Sequence, residues 1–212
     1  PPERVEVVGI LRCDFYRRKD LFLKRDDFLK KYNLDKNMKL ITFILNSACP
    51  IPLSLEILKI IRHSQNIIYP IQIFVRLDPY MITECFDGFL NDPLVRIDRG
   101  FSREQLISEN DVIGLVNLLA HSDIIISLLS TLILESCHFD KPNISIAFGP
   151  IRNLYNRDFI QPLILQNGLR IVYNENDLIN SLNAYLLNPK LESEGRKKIL
   201  RNLCFGGDGK AV

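Results

Sequence analysis

The sequence has few of the residue patterns that mark metal-binding or disulfide-linked proteins. Its five cysteines are scattered, and no Cys-x-x-Cys pair or Cys/His cluster is present, so we expect no metal site. An odd number of cysteines inside apolar runs favours reduced thiols that pack in a core. Such cysteine usage indicates a cytoplasmic protein.

An excess of charge of one sign is also missing. Lysine and arginine number 27 against 25 for aspartate and glutamate, which leaves a formal net charge of +2. Nucleic-acid binding through a broad basic surface is therefore not expected, and recognition of an anion must depend on a local site. Long apolar runs are lacking as well, because charges or prolines interrupt each run well before the ~20 residues of a membrane-spanning helix. We expect a soluble chain.

What is present suits one folded unit. With 212 residues and 47% hydrophobic content, the chain can bury one large core, and we expect residues 1–212 to form a single domain. The sequence opens on Pro1-Pro2 without a methionine or signal pattern, and it stops at Lys210-Ala211-Val212. We therefore expect a fragment of a longer, two-domain protein.

Apolar strand patterns alternate with amphipathic helix patterns along the chain. The alternation predicts an α/β fold, a doubly wound Rossmann-like parallel sheet of about six to seven strands with helices on both faces. The predicted strands are Arg4–Leu11, Lys39–Asn46, Ile71–Arg76, Leu94–Asp98, Asp123–Ser127, Asn143–Phe148 and Leu169–Tyr173. The main predicted helices are 26–34, 52–66, 84–90, 111–122, 130–140, 157–165, 177–187 and 192–203.

The segment of residues 110–150 carries the strongest functional signal. It reads as helix, strand, hydroxyl-rich turn, helix and strand, which is a βαβ crossover. Its turn places Ser127, Ser130 and Thr131 between the end of a strand and the start of a helix, with Glu135 one turn later. Unpaired N–H groups and hydroxyls at such a point attract phosphate, and a carboxylate such as Glu135 can accept hydrogen bonds from a ribose diol. Alternatively, a serine merely caps the helix and Glu135 is a solvated acid.

Two arginines near predicted strand ends are further candidates for binding a phosphate. Arg12 follows the first predicted strand and can bind a phosphate or pair with Asp14. Arg76 ends the third predicted strand and can face a diphosphate or pair with Asp78. The residues alone leave both choices open.

The order of several short motifs resembles the carboxyl-terminal, nucleotide-donor-binding domain of GT-B-type glycosyltransferases. This group includes surface-carbohydrate and CDP-glycerol transferase-like proteins and is related to UDP-sugar 2-epimerases. The similarity begins with a strand, a Ser-Thr helix start, a glutamate within the helix and a Lys-Pro pair before the next strand, here in residues 120–148. The other similar pieces are Val7–Tyr16 (a hinge segment), Val75–Pro79 (usually Val-Arg-Pro-His-Pro), Leu94–Gly100 with the helix from Asp111, and Gly207–Ala211 (an Asp-Gly-Lys-Ala element).

The resemblance implies a function for the full-length protein. It implies transfer of a sugar, or a polyol phosphate, from a nucleotide-diphosphate donor in surface polysaccharide biosynthesis, without a metal and with no cofactor besides the donor. The donor ligands it implies are Ser127, Ser130, Thr131, Glu135, Arg76 and Arg12. Implied partners are the missing amino-terminal acceptor half, which supplies the catalytic base in inverting members, and a lipid- or glycan-linked acceptor, with contact at the inner face of the membrane. The fragment alone is expected to be inactive, and its sequence identifies no catalytic residue.

One position departs from the family pattern. Leu77 and Asp78 stand where such proteins often have histidine in the Arg-Pro-His-Pro segment. An ionised Asp78 would repel a phosphate, so it is a candidate for contact with a sugar or acceptor hydroxyl. The departure favours one alternative hypothesis, a degenerate transferase domain that acts as an interaction module. A second alternative, a UDP-sugar 2-epimerase relative, shares the architecture, but the missing histidine counts against it.

Overall fold

The fold is built on one six-stranded, fully parallel sheet. The computed structural model describes residues 11–46, 50–78, 81, 83–98, 108–128 and 130–204, with side chains from residue 13. The strands are β1 (Lys39–Ile44), β2 (Ile71–Arg76), β3 (Val95–Asp98), β4 (Ile124–Ser127), β5 (Asn143–Ile146) and β6 (Arg170–Val172). The α-helices in this part of the chain are α1 (Arg25–Lys31), α2 (Ile51–His63), α3 (Glu109–His121), α4 (Leu132–Ser136), α5 (Gln161–Ile164), α6 (Glu175–Leu187) and α7 (Ser193–Leu203).

The strand order is β3-β2-β1-β4-β5-β6. This is the order of a doubly wound dinucleotide-binding sheet, and the direction of winding reverses between β1 and β4. The predicted fold class is confirmed, and the six strands from residue 39 onward lie where the apolar patterns predicted them. Of the seventh predicted strand, Arg4–Leu11, only Leu11 is described, and it begins a 3₁₀-helix, Leu11–Arg17.

Helices cover both faces of the sheet because its strands are apolar on both sides. Along β1, Ile41 and Phe43 pack in one core cluster with α2 and α6, whereas Ile44 packs in another with α3. Alternation along β4 follows the same rule, so Ile124 and Ile126 face α2 and α6. Ser127 therefore faces the side of α3 and α4, together with Ile125.

The predicted helices near the sheet's carboxyl edge are shorter than expected. The prediction 130–140 is a five-residue α-helix, α4, followed by a 3₁₀-helix at Cys137–Phe139. It ends because Asp140 adopts a left-handed conformation and Lys141-Pro142 cannot continue a helix. The prediction 157–165 is replaced by a 3₁₀-helix at Gly149–Asn156 and the four-residue α5.

Within the residues described, no helix has the length and apolar content needed to cross a bilayer.

Candidate functional site

The candidate site lies at the carboxyl edge of the sheet, where β1 and β4 diverge. Just beyond these strands the two chain segments are joined by a hydrogen bond, in which the side-chain amide of Asn46 donates to the carbonyl oxygen of Leu128 at 3.0 Å. Ligands of open parallel sheets bind in the crevice at such a reversal of strand order. Sequence reasoning did not identify Asn46, whose role depends on the pairing of distant strands.

Ser127 ends β4 inside this crevice. Its side chain is 1% exposed, and in the described part of the chain its hydroxyl makes no hydrogen bond. A buried polar group without a partner costs about 1–3 kcal/mol, so native proteins rarely leave one in place without a functional reason. The absence of a bond also excludes the alternative that Ser127 caps the following helix.

Ser130 and Thr131 form the turn before α4. The hydroxyl oxygen of Ser130 accepts from the backbone N–H of Leu132 at 3.2 Å, so the capping alternative holds for this serine. Accepting that bond does not use the hydroxyl proton. Thr131 is exposed and its side chain makes no capping bond. Because α4 is only five residues long, these hydroxyls contribute more to the site than a helix dipole does.

A cleft of about 320 Å³ opens beside this turn. Ser130 and Thr131 supply its polar wall, and the remaining lining is apolar. The apolar residues are Leu134, Phe159, Ile160, Pro162, Leu163 and Leu203. The cleft therefore joins two hydroxyl donors to an apolar surface, which is the usual composition of a small-molecule site.

Glu135 lies beneath the turn and is not the solvated acid of the alternative interpretation. It is 1% exposed, and the hydroxyl of Tyr16 donates to its carboxylate. Burying a carboxylate is costly unless hydrogen bonds replace its water, and Tyr16 provides one such bond. Tyr16 is separated from Glu135 by 119 residues, so no local pattern pointed to this contact.

Arg76 lies in the same row of the sheet as Ser127. The register pairs Ile44 with both residues, so two strand spacings, about 10 Å, separate their backbones. Nη1 of Arg76 lies 2.6 Å from Oδ2 of Asp98 on β3. The proposed pairing with Asp78 is thus replaced by one with Asp98, because parallel pairing sets Arg76 directly opposite Asp98.

Two further predicted site residues remain, Asp78 and Arg12. Asp78 is partly buried two residues after β2. Arg12 belongs to a 3₁₀-helix, Leu11–Arg17, but its side chain lies outside the described residues. Ser130 and Thr131 thus line one cleft, whereas Ser127 is buried at the end of β4 and is not part of that lining, and Glu135 is buried within α4.

The described side chains offer no ready metal site. In these parts of the chain, no group of three or more histidine, cysteine, aspartate or glutamate side chains converges as metal ligands would.

His138 packs beside the Glu135 contact. Its ring lies 5.2 Å from that of Tyr16, and its Nε2 atom is buried without a hydrogen bond among the described residues. Burial, and then the nearby charge of Arg17, lower the pKa of His138 to about 4. The folded chain therefore keeps this ring neutral.

We expect His138 to make the fold weaker in acid. His138 takes up a proton near pH 6.5 in the unfolded chain but only near pH 4 in the folded chain. Its contribution to the free energy of unfolding is therefore complete above pH 6.5 and is lost as the pH falls from 6.5 to 4. The loss is up to roughly 3 kcal/mol. Urea unfolding from pH 4 to 7.5 should show that stability depends less steeply on pH in His138→Phe than in the wild type. An unchanged slope in His138→Phe would contradict the assignment.

The fold of the whole chain resembles that of several solved structures. No protein-family model and no curated protein sequence matches the chain. Among solved structures, the wall teichoic acid polymerase TagF in a variant form superposes with a TM-score of 0.67 at 16% identity, over 100% of this chain and 50% of that one. A Methanocaldococcus jannaschii UDP-GlcNAc 2-epimerase in complex with UDP-GlcNAc and UDP gives 0.56 at 15% identity, over 97% and 56%. WaaG, a glycosyltransferase involved in lipopolysaccharide biosynthesis, gives 0.55 at 14% identity, over 100% and 56%.

These likenesses confirm the fold that the motifs suggested. The chain has the fold of a GT-B nucleotide-binding domain. It spans about half the length of these structures.

Proposed function

We propose that the chain is the donor-binding half of a GT-B-like glycosyltransferase in surface polysaccharide biosynthesis, and that it binds a nucleotide-diphospho-sugar or nucleotide-polyol. The observation that carries the proposal is the buried Ser127 hydroxyl, which lies without a hydrogen bond at the reversal of strand order. A phosphate oxygen is the acceptor that would satisfy it.

The three hydroxyls around the turn suit a diphosphate. Ser130 and Thr131 would donate from the wall of the cleft, and Ser127, which is as buried as Glu135, would donate once the chain around it opens. Donors held in place before the reaction stabilise the charge that develops on a departing diphosphate, and they do so without a metal or further cofactor. Arg76 and Arg12 would add positive charge. Asp78 would contact a sugar or acceptor hydroxyl rather than the phosphates.

The named structural neighbours support this donor class. One was solved with UDP-GlcNAc and UDP, and TagF was solved after a soak with CDPG. In the full-length protein, the catalytic base would come from an amino-terminal half, and the acceptor would be linked to a lipid or glycan. A cytoplasmic protein with peripheral contact at the inner face of the membrane fits this role, and the exposed Lys197, Lys198 and Arg201 of α7 are candidates for that contact.

Two further functions have an observation in their favour. The likeness to the UDP-GlcNAc 2-epimerase favours a UDP-sugar epimerase relative. Detection of an epimerised sugar nucleotide with the full-length protein would decide for it.

The burial of Glu135 under Tyr16 favours a degenerate transferase domain that acts as an interaction module. Full activity and unchanged nucleotide affinity in a full-length Glu135→Ala variant would support that reading.

The donor site is tested by nucleotide binding to the 212-residue chain. In calorimetry with UDP, CDP, GDP and ADP, we expect at least one to bind, and its NMR perturbations should centre on Ser130 and Glu135. The double substitution Ser130→Ala and Thr131→Val should weaken binding roughly 10- to 100-fold, because it removes hydrogen bonds to a charged ligand.

A matched control separates binding from stability. Ser64 follows α2 at the opposite edge of the sheet, and its hydroxyl also accepts a backbone N–H, that of Asn66. Ser64→Ala should leave nucleotide affinity unchanged. If none of the four nucleotides binds the wild-type chain, or if the double variant binds as tightly as the Ser64 variant, the donor site is not where we propose.

A further inference from the structure

The segment of residues 13–23, called the strap below, packs against α4, the helix that carries Glu135, and against the 3₁₀-helix that follows it. Its Cys13 and Tyr16 are buried in one cluster with α3 and the sheet. The ring of Tyr16 contacts Phe139 edge-on at 5.5 Å, and that of Phe22 contacts Phe139 at 5.7 Å. The strap thus covers the face of α4 that bears Glu135.

The two halves of the strap are held differently. Its end is fixed to α3 by the buried Asn117, which accepts from the N–H of Leu23 at 2.7 Å and donates to the carbonyl oxygen of Leu21 at 2.9 Å. Ahead of this anchor, residues 17–20 are exposed. The contacts of the first half include apolar packing and the hydrogen bond from Tyr16 to Glu135.

We propose that Tyr16 and the ribose diol of the nucleotide compete for Glu135, so that the strap must open before the donor binds fully. This inference rests on the proposed function. A carboxylate that is 1% exposed has no surface to offer a ribose hydroxyl while the strap is closed. A ribose hydroxyl can replace the tyrosine hydroxyl as a donor to Glu135, so this exchange costs the buried carboxylate no hydrogen bond, whereas opening without a nucleotide loses the bond from Tyr16.

The consequence is a measurable reduction of affinity. When only the open fraction of molecules binds, the apparent dissociation constant rises in inverse proportion to that fraction. Tyr16→Phe retains the ring packing and removes the hydrogen bond from the strap to Glu135, which favours the closed state. We therefore expect the variant to bind its preferred nucleotide about tenfold more tightly than the wild type.

Tyr155 supplies a matched control for the affinity measurement. It is also buried, and its hydroxyl lies 2.7 Å from the hydroxyl of Ser145, away from Glu135. Tyr155→Phe should leave affinity for UDP, CDP, GDP and ADP unchanged. If Tyr16→Phe instead bound the nucleotide more weakly, and bound it no better than its 2′-deoxy form, Tyr16 would be a residue that positions Glu135, and the inference would be overturned.

Thiol labelling measures opening without any nucleotide. Cys13 is 5% exposed within the strap, and Cys137 is 2% exposed beside α4. With a thiol-reactive reagent and peptide mass spectrometry, Tyr16→Phe should label Cys13 about tenfold faster than the wild type, with Cys137 unchanged. A saturating nucleotide should also speed Cys13 labelling in the wild type, because coupling between two events is reciprocal.

The outcomes separate the two proposals. If the wild type binds a nucleotide but Tyr16→Phe binds it no more tightly, or if Cys13 labels no faster in the variant, only the strap inference fails. If neither protein binds any of the four nucleotides, the proposed function fails and the competition for Glu135 fails with it.

Discussion

Asp140→Ala should destabilise the fold by about 3–5 kcal/mol, because it leaves a buried arginine without its counter-ion. The side chain of Arg196 on α7 is 0% exposed, and its Nε donates to Oδ1 of Asp140 at 2.7 Å. Its remaining N–H groups donate to the carbonyl oxygens of Leu191, at 2.7 Å, and Pro189, at 3.0 Å. This network fastens α7 to the end of the crossover helix.

The charge state of Asp140 supports the size of this effect near neutral pH. Burial acts to raise its pKa, but hydrogen bonds from Lys190, Arg196 and Ser193 outweigh burial and leave the pKa below its ordinary value of 3.8. The ionised form therefore stabilises the fold above pH 3.8, and this contribution is lost as the pH falls through the lowered pKa. Unfolding by urea at pH 7 measures the full term.

Two companion variants identify the cause of the loss. Lys190 binds the same carboxylate at 2.7 Å, but its side chain is 75% exposed, so Lys190→Ala should cost less than about 1 kcal/mol. Asp140→Asn keeps an acceptor and tolerates the left-handed backbone at this position, so its cost should fall between the other two. Equal losses in Asp140→Ala and Lys190→Ala would show that the buried arginine is not what Asp140 stabilises.

Gly195→Ala should destabilise the fold by about 3 kcal/mol, although alanine ordinarily stabilises the interior of a helix. A Cβ atom at Gly195 would lie 1.9 Å from the carbonyl oxygen of Asn167 and 2.5 Å from the backbone nitrogen of Gly168. Both are backbone atoms and cannot rotate away. The helix α7 must therefore shift from the turn between α5 and β6, and Arg196 must shift with it.

Gly114 offers the matched control for Gly195. It lies within α3, and a Cβ there would meet only the hydroxyl of Tyr32 at 3.7 Å, an ordinary contact. Gly114→Ala should raise stability by about 0.5–1 kcal/mol, from helix propensity alone. Thermal unfolding of both variants should show a lower melting temperature for Gly195→Ala and a higher one for Gly114→Ala than for the wild type. A stabilised Gly195→Ala protein would mean that α7 does not approach the turn as closely as the structure shows.

Much of the fold is predictable from the sequence because its signals are local. The apolar runs of β1 and β4 suit strands buried on both faces, and the spacing of Val112, Leu115, Val116 and Leu119 predicts α3. The helix lengths after β4 and β5 were wrong for a local reason as well. The helix after β4 ends early because Asp140 is left-handed and Lys141-Pro142 follows it, and the helix after β5 begins later than predicted, at Gln161, with Pro162 in its first turn.

The candidate site divides between what the sequence determines and what tertiary structure decides. The sequence by itself places Ser127, Ser130 and Thr131 at the end of a buried strand, because strand period and turn chemistry involve only neighbouring residues. Only the tertiary structure decides that Asp98 pairs with Arg76 and that Tyr16 covers Glu135. These contacts join residues far apart in the chain, and their partners are selected by strand register and core packing, which no local pattern encodes.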